Sequence, residues 1–316
     1  MVKLSVVVLN WNGKQYLNNC LGSLSKQNYK DFEVILVDNG STDGSVDYVR
    51  KNFPKARVIE NKKNLGFTIG NNIGIEKSKG RYVFILNNDT KLDKSCLKEL
   101  VNVMDSNKKI GMVSAKMLFF DSNKVDTLGL KVLKWGFTED IKKAEQIPFC
   151  PCGGAAFYRK AMLEDTKLDD DYFDSDYFIY ADDYDLGFRA RLRGWDCRLA
   201  DKAIVYHLHG ATMSKETDKQ IYLGDRNRIW TIIKNYPNGL LAKCSIHLTL
   251  LQIASIIKYT IEGKPLLILK SKIDALKLLN KKLKQRKIIQ SRKKIKNGEL
   301  EKLFEGYYQD EKDSTL

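Results

Sequence analysis

The chain has 316 residues, 43% of them hydrophobic, and its 54 Lys and Arg against 39 Asp and Glu give a formal net charge of +15. That length and apolar content exclude a disordered chain and allow one large α/β domain with an appendage, or two modest domains. The charge is uneven, with 18 basic against 8 acidic side chains in residues 231–316, which argues against nucleic acid wrapping the main domain and for a basic tail meeting an anionic membrane surface.

From the N-terminus, Met1 to Leu9 runs directly into an apolar strand pattern without a basic leader and cleavage site, so no signal peptide is expected. Short β-branched runs at Leu4 to Leu9, Phe32 to Val37, Arg57 to Glu60 and Tyr82 to Leu86 read as strands, with helices beginning near Lys14, Ser45 and Phe67. This alternation predicts an α/β fold with a mostly parallel central sheet flanked by helices. The first, second and fourth strands end in polar clusters, Asn10 to Gly13, Asp38 to Ser41 and Asn87 to Thr90. Ligands of open α/β sheets bind at the carboxyl ends of strands, so the three clusters point to one shared site.

Beyond Gly111 the pattern loosens into mixed strands and loops, followed by a Gly-containing segment at Pro151 to Ala156 and a helix from about Asp182 to Arg193. A last strand, Ala203 to Tyr206, leads into His207. After Tyr236-Pro237 the composition turns to Leu, Ile and Lys, which divides the chain into a catalytic domain, 1–236, and a basic amphipathic helical extension, 237–316. The longest uncharged stretch there, Cys244 to Ile257, has 14 residues, short of the ~20 a spanning helix needs, which predicts an interfacial or packed helix. Apolar residues such as Leu248, Leu251, Leu266, Ile273 and Leu276 recur at helical spacing with Lys270, Lys272, Lys277, Lys281 and Lys282 among them. Membrane docking, packing on the catalytic domain and dimerisation all fit that periodicity; the charge favours the membrane. Of six cysteines only Cys150 and Cys152 lie close together, so a reduced, cytoplasmic protein is expected. This pair is half a zinc motif without its second half, and it reads as a loop before a strand.

VVVLNWNG (Val6 to Gly13), ILVDNGSTDGS (Ile35 to Ser45), NLGFTIGNNIGI (Asn64 to Ile75), YVFILNNDT (Tyr82 to Thr90), FIYADDYDLGFRARLRGW (Phe178 to Trp195) and VYHLHGAT (Val205 to Thr212) occur in this order. Over roughly the first 235 residues the chain thereby resembles the family 2 glycosyltransferases, and within them a rhamnosyltransferase-type subgroup. The resemblance implies a GT-A nucleotide-diphospho-sugar transferase fold and inverting, metal-dependent transfer of a sugar. The implied donor is a dTDP- or UDP-sugar, with rhamnose as the subgroup's sugar. The acceptor would be a hydroxyl of a glycan or polyprenyl-linked glycan at the inner face of the cell membrane.

Residue by residue, Asp38 can accept a hydrogen bond from the imide N–H of uracil or thymine, or open a turn and cap the next helix. The order of motifs favours the base, whereas Asp43 fits a cap better. Asn10, Asn12, Asn64 and Gly66 are candidates for touching the nucleotide, the last two for ribose or diphosphate ahead of a helix. Gly70 and Gly74 read as a close-packing face. Asn87-Asn88-Asp89 stands where the family has Asp-x-Asp, with only one carboxylate retained. Asp89 is then a ligand of a divalent cation, manganese or magnesium, Asn87 and Asn88 are donor contacts, and the diphosphate supplies further oxygens. His207 matches the family's metal-binding histidine, and His209 is left open.

In the acidic group 182–185, Asp182 as N-cap and Asp185 three positions on form a capping pair, with Asp185 in reach of Arg189. At ~100° per residue Asp183 points away from Asp185 and is free to face the pocket. It matches the family's general base, although the preceding position is Asp rather than Glu. Trp195 reads as core. A GT-A scaffold without activity, binding a membrane surface or polyanion, is the alternative. A nicotinamide oxidoreductase lacks its glycine fingerprint at Asn10 to Gly13.

Overall fold

The computed structural model describes residues 2–122, 124–133, 136–208 and 217–304. The four expected N-terminal strands form as β1 (Leu4–Asn10), β2 (Phe32–Asp38), β3 (Arg57–Glu60) and β4 (Tyr82–Asn87). Between them run α1 (Lys14–Ser25), α2 (Ser45–Asn52) and α3 (Gly66–Lys77). The chain continues through β5 (Thr90–Leu92), α4 (Cys96–Ser106), β6 (Ile110–Phe119), β7 (Val125–Thr127), β8 (Leu130–Val132), β9 (Thr138–Asp140) and β10 (Ala155–Arg159). Then follow α5 (Lys160–Asp165), α6 (Asp182–Leu192), β11 (Asp196–His207) and five C-terminal helices. These are α7 (Asp218–Asn235), α8 (Asn238–Ile261), α9 (Pro265–Lys277), α10 (Leu279–Ser291) and α11 (Asn297–Lys302).

The main sheet has the order β3-β2-β1-β4-β10-β6-β11-β5, with β7 beside β6. Its first four strands are parallel, as expected, but β10 runs antiparallel to both β4 and β6, and β5 antiparallel to β11, so the whole is mixed. Val6, Val7 and Val8 are all fully buried because helices cover both faces of β1. Gly70 and Gly74 let α3 approach the sheet: a Cβ would lie 2.4 Å from Leu9 Cδ1 at the first and 2.3 Å from Val7 Cγ1 at the second. Register places the site. Asn10 pairs with Asp38 and Leu9 with Asn87, so the three polar strand ends lie in one row.

The break between α7 and α8 falls at Tyr236-Pro237, yet the C-terminal helices fold back on α7 and share a core with the sheet domain. Tyr236, Leu240, Ile289, Leu300 and Phe304 belong to the same apolar cluster as Phe149 and Phe188. Two lysines expected among the membrane-facing set turn inward instead. Lys282 is fully buried, bonding Asp174 at 2.8 Å and Asp176 at 2.6 Å, and Lys272 reaches Asp225 at 2.7 Å. A buried ammonium needs a carboxylate, and these acids lie on the catalytic side. Helix α8 is longer than its uncharged stretch, 24 residues, and by length and composition alone could cross a membrane. Its outer positions Ile246, Leu250, Ile253, Ile257 and Ile261 are exposed.

Candidate active site

Three parallel strand ends are stitched by side chains. Asn88 donates to Asn10 Oδ1 over 2.7 Å, and Asn10 donates in turn to Asp38 Oδ1 over 2.8 Å. Asp38 also accepts from the Ser41 hydroxyl at 2.6 Å and the Ser41 amide at 2.8 Å, and it is 1% exposed. Its carboxylate therefore organises the 38–41 turn, and the groups this turn presents outward are those of its rim. Asn12, at φ 48°, accepts from the Thr42 amide, while its own amide donates to Ser41 Oγ. Trp11 beside it is exposed, an aromatic face that the sequence reading passed over. Asp43 accepts from the amides of Lys14 and Ser45, the first residues of α1 and α2, but from outside both helices: the N-caps are Gly13 and Gly44.

Asn64 and Gly66 have local partners. Asn64 Oδ1 accepts from the Gly66 amide, and the Phe67 amide at the start of α3 donates to the Phe178 carbonyl over 2.6 Å. Gly66 adopts φ 82° against the Phe178 ring and carbonyl, so a side chain there is excluded by conformation and by space. This helix N-terminus thus grips the chain that leads to α6. The same chain is held from the other side by Asn227, whose Nδ2 donates to the carbonyls of Tyr177, Ile179 and Tyr180. Between these two anchors Phe178, Tyr180 and Ala181 all have positive φ. Such backbone costs of order 1–3 kcal/mol per residue and persists only when its surroundings impose it.

What that strain positions is the acidic start of α6. Asp182 does not cap the helix: the N-cap is Ala181, in a left-handed conformation that leaves Asp182 as the first helical residue without a capping bond. Asp185 does reach Arg189, at 3.1 Å, but it also receives Lys234 at 2.9 Å and Asn235 at 2.8 Å in a fully buried network. The expected capping pair is therefore replaced by an ionic anchor beneath the helix. Asp183 points elsewhere, as helical geometry requires, and its Oδ2 accepts from the Gly153 amide at 3.1 Å. Burial raises the Asp183 pKa, and the amides of Gly153 and Tyr184 temper the rise. Asp182 is pushed up further, by burial and then by the neighbouring Asp183 charge.

Both carboxyls line a cleft of about 830 Å³. Asn87, Gly153 and Gly154 line it beside β4 and β10, and Arg228 of α7 and Leu251, Ser255 and Lys258 of α8 line it as well. Cys152 is in the wall too, and burial pushes its thiol well above the usual range, which disfavours the thiolate. Trp195, expected in the core, is only partly buried and donates to Asp165.

Asp89 and His207 come together because β5 pairs with β11, Thr90 opposite His207. His207 Nε2 lies 3.5 Å from Asp89 Oδ2, and Nδ1 lies 2.9 Å from Asp126 Oδ2. Asp126, on the short β7, has no sequence signal. Burial disfavours the charged imidazole, but the bonds to Asp126 and Asp89 outweigh it and raise the His207 pKa to about 9. No three His, Cys, Asp or Glu side chains among the described residues form a metal site by themselves. The donor set nonetheless fits a hard cation: Asp89 Oδ1 is buried without a hydrogen-bond partner, and a carboxylate on Nδ1 is what a histidine that ligates through Nε2 needs. His209 and the segment to residue 216 lie outside the described residues.

Residues 5–166, just over half the chain, match the sequence model described as glycosyl transferase family 2. The chain belongs to that family. An uncharacterized glycosyltransferase of Haemophilus influenzae is 26% identical over 220 residues, 66% of each protein. Glycosyltransferase GlyG of Streptococcus pneumoniae is 37% identical over 27% of this chain and 30% of its own length. Among solved structures, S. aureus TarS 1–349 in complex with UDP superposes with a TM-score of 0.55 at 22% identity, covering 75% of this chain and 67% of that one. The mannosyltransferase PcManGT from Pyrobaculum calidifontis, in complex with GDP-Man and Mn2+, gives 0.56 at 16% identity over 92% and 86%. At such identities the likeness is one of fold, and it agrees with the GT-A fold that the motifs imply.

Proposed function

We propose that this family 2 glycosyltransferase is an inverting enzyme in which Asp183 is the general base. The observation that carries the reading is the position of Asp183, on the wall of the cleft with its carboxylate oriented by the Gly153 amide and its pKa raised by burial. A carboxylate so held can accept the proton of an acceptor hydroxyl as that oxygen attacks the anomeric carbon on the face opposite the leaving group, so one displacement inverts configuration. Asp89 and His207 would hold a divalent cation, manganese or magnesium, which supplies charge neutralisation of the departing nucleoside diphosphate. Asp126 fixes the imidazole so that Nε2 faces Asp89.

For the donor, the rim of Trp11, Asn12 and Ser41 offers an aromatic face and polar groups suited to a pyrimidine nucleotide, with Asp38 and Asn10 bracing them from below. Asn64, Gly66, Asn87 and Asn88 support the same strand-end site. A uridine or thymidine diphosphate sugar fits this reading, with rhamnose as the sugar the motif resemblance favours. The acceptor is a hydroxyl of a glycan or lipid-linked glycan, reached at the inner surface of the cell membrane.

The test is transfer or hydrolysis of nucleoside diphosphate sugars with manganese, in wild type and in Asp183→Asn. Metal-dependent turnover lost in the variant supports the reading. Binding of the nucleotide without turnover in the wild type, across sugars and acceptors, would favour the inactive scaffold instead.

A further inference from the structure

We propose that the part of the cleft lined by α7 and α8 is a subsite for the phosphate of a lipid-anchored acceptor, built from Arg228 of α7 and Lys258 of α8. This deepens the glycosyltransferase reading, on which it rests, by naming the acceptor's chemical class.

The cleft carries both signs of charge. Asp182 and Asp183 of α6 line it, and so do Arg228 of α7 and Lys258 of α8. Arg228 is held in place: its guanidinium lies 4.2 Å from the centroid of the Phe137 ring and 3.0 Å from Asp225 Oδ1. Asp225 does not cancel that charge alone, because it also receives Ser271 at 2.5 Å and Lys272 at 2.7 Å. Two cations thus converge on one buried carboxylate, leaving positive charge at the cleft wall. Lys258 adds to it from a half-exposed position, its nearest carboxylate partner being Glu262 at 4.0 Å. The phosphate of an anionic acceptor is repelled by the carboxyls of α6 and attracted by the two cations. It would therefore sit at Arg228 and Lys258, leaving the acceptor hydroxyl for Asp183.

The apolar part of the ligand follows from α8. Leu251, Ala254, Ser255, Lys258 and Tyr259 recur at helical spacing and line the cleft. Leu250, Ile253, Ile257 and Ile261 form a second stripe that is exposed. At ~100° per residue the two stripes are centred roughly 130° apart and meet along one edge of the helix. A phosphate at Lys258 is then beside an exposed isoleucine row, the arrangement a phosphorylated isoprenoid or similar lipid phosphate needs. A free sugar phosphate would use the cations and leave the row unused.

Farnesyl diphosphate is a soluble probe for this subsite, with farnesol and inorganic diphosphate as its two halves. Binding is measured to full-length protein by calorimetry with a chelator present, which suppresses metal-dependent binding of diphosphate at Asp89. Farnesyl diphosphate should bind more tightly than either half, and Arg228→Gln and Lys258→Gln should each weaken it roughly tenfold or more, the size of a lost charge-assisted bond. Lys243→Gln, at an exposed lysine of α8 that does not line the cleft, should change nothing. Lys258 is solvent-exposed, so its substitution leaves the fold intact even if Arg228→Gln does not. Unchanged binding in Lys258→Gln, an equal loss in Lys243→Gln, or inorganic diphosphate or farnesol binding as well as the whole probe would each overturn the proposal. Binding of UDP and dTDP with manganese is followed in parallel: its absence in wild type counts against the glycosyltransferase reading, whereas the farnesyl diphosphate result judges the subsite separately.

Discussion

The amide of Gly153 donates to Oδ2 of Asp183 over 3.1 Å, joining the loop before β10 to the first turn of α6. Substituting Asp183→Asn preserves shape and one amide acceptor but removes the basic oxygen. Transfer should fall by roughly 10² to 10⁴, with nucleoside diphosphate affinity within a few-fold of wild type. Wild-type turnover in the variant would remove Asp183 from the mechanism. Since burial raises the pKa of this carboxyl, the acidic limb of kcat should lie above the ordinary aspartate range. Activity is lost as pH falls through that raised value, because the base is then protonated.

Asp89, His207 and Asp126 make separable predictions for nucleotide binding. Asp89→Ala should abolish the difference between manganese and chelator in titrations of UDP and dTDP, because it deletes the one carboxylate of the motif. His207→Ala should reduce that difference, and Asp126→Asn should cost about 10- to 100-fold in metal affinity by loosening the imidazole. Identical nucleotide binding with manganese and with chelator in wild type would end the metal assignment.

Much of this geometry was legible in the sequence because it follows from strand ends. The clusters at Asn10, Asp38 and Asn87 are local, and parallel pairing aligns them without further information. Helical phase likewise separated Asp183 from Asp185. What stayed hidden depends on distant partners. Asp126 meets His207 only because β7 and β11 both flank β6. The capping pair expected of Asp182 and Asp185 did not form, since Ala181 is held left-handed between the anchors at Gly66 and Asn227. Lys282 looked like a surface charge because no periodicity reports Asp174, 108 residues earlier.

Asp182 provides a stability test. Its folded pKa is raised by burial and by Asp183, so the charged form costs stability once the pH exceeds the unfolded value, ~3.9. Asp182→Asn should therefore raise the denaturant midpoint at neutral pH, and the gain should fade as the pH falls towards that value. A lower midpoint at neutral pH would mean that the carboxylate is better satisfied than its surroundings indicate.

The ionic anchor beneath α6 should behave conversely. Lys234 and Lys282, both fully buried, flank Asp174, and despite burial they hold its carboxyl well below the usual range. A depressed carboxylate pKa stabilises the fold above the unfolded value, and this contribution is lost as the pH falls below it. Lys282→Ala leaves the charge on Asp174 and Asp176 undercompensated and should destabilise the protein by about 3–5 kcal/mol, read from urea unfolding at neutral pH. A loss below 1 kcal/mol would show that Lys234 suffices.

Membrane docking is best tested without truncation. A chain ending near Tyr236 would lose Lys282 from its acidic partners and Ile289, Leu300 and Phe304 from the shared core, so its failure to bind would report unfolding. The structure offers point substitutions instead: Ile253, Ile261, Leu266 and Ile273 are exposed apolar residues of α8 and α9. The inward face of α8 lines the cleft, while Lys272 Nζ donates to Ser255 Oγ over 3.0 Å. With one side engaged in this way, α8 suits a helix lying in the plane of the interface better than one crossing it. The lysines that remain outside, among them Lys258, Lys270 and Lys277, can each contribute ~1 kcal/mol beside an anionic leaflet, less where an acidic neighbour shares the charge. Full-length protein should float with phosphatidylglycerol vesicles, less with neutral ones, and less again at high salt. Ile261→Glu with Leu266→Glu should abolish flotation while leaving the thermal midpoint unchanged, since both side chains are about four-fifths exposed. Flotation of the double variant equal to wild type on anionic vesicles would place the membrane contact elsewhere or nowhere on this chain.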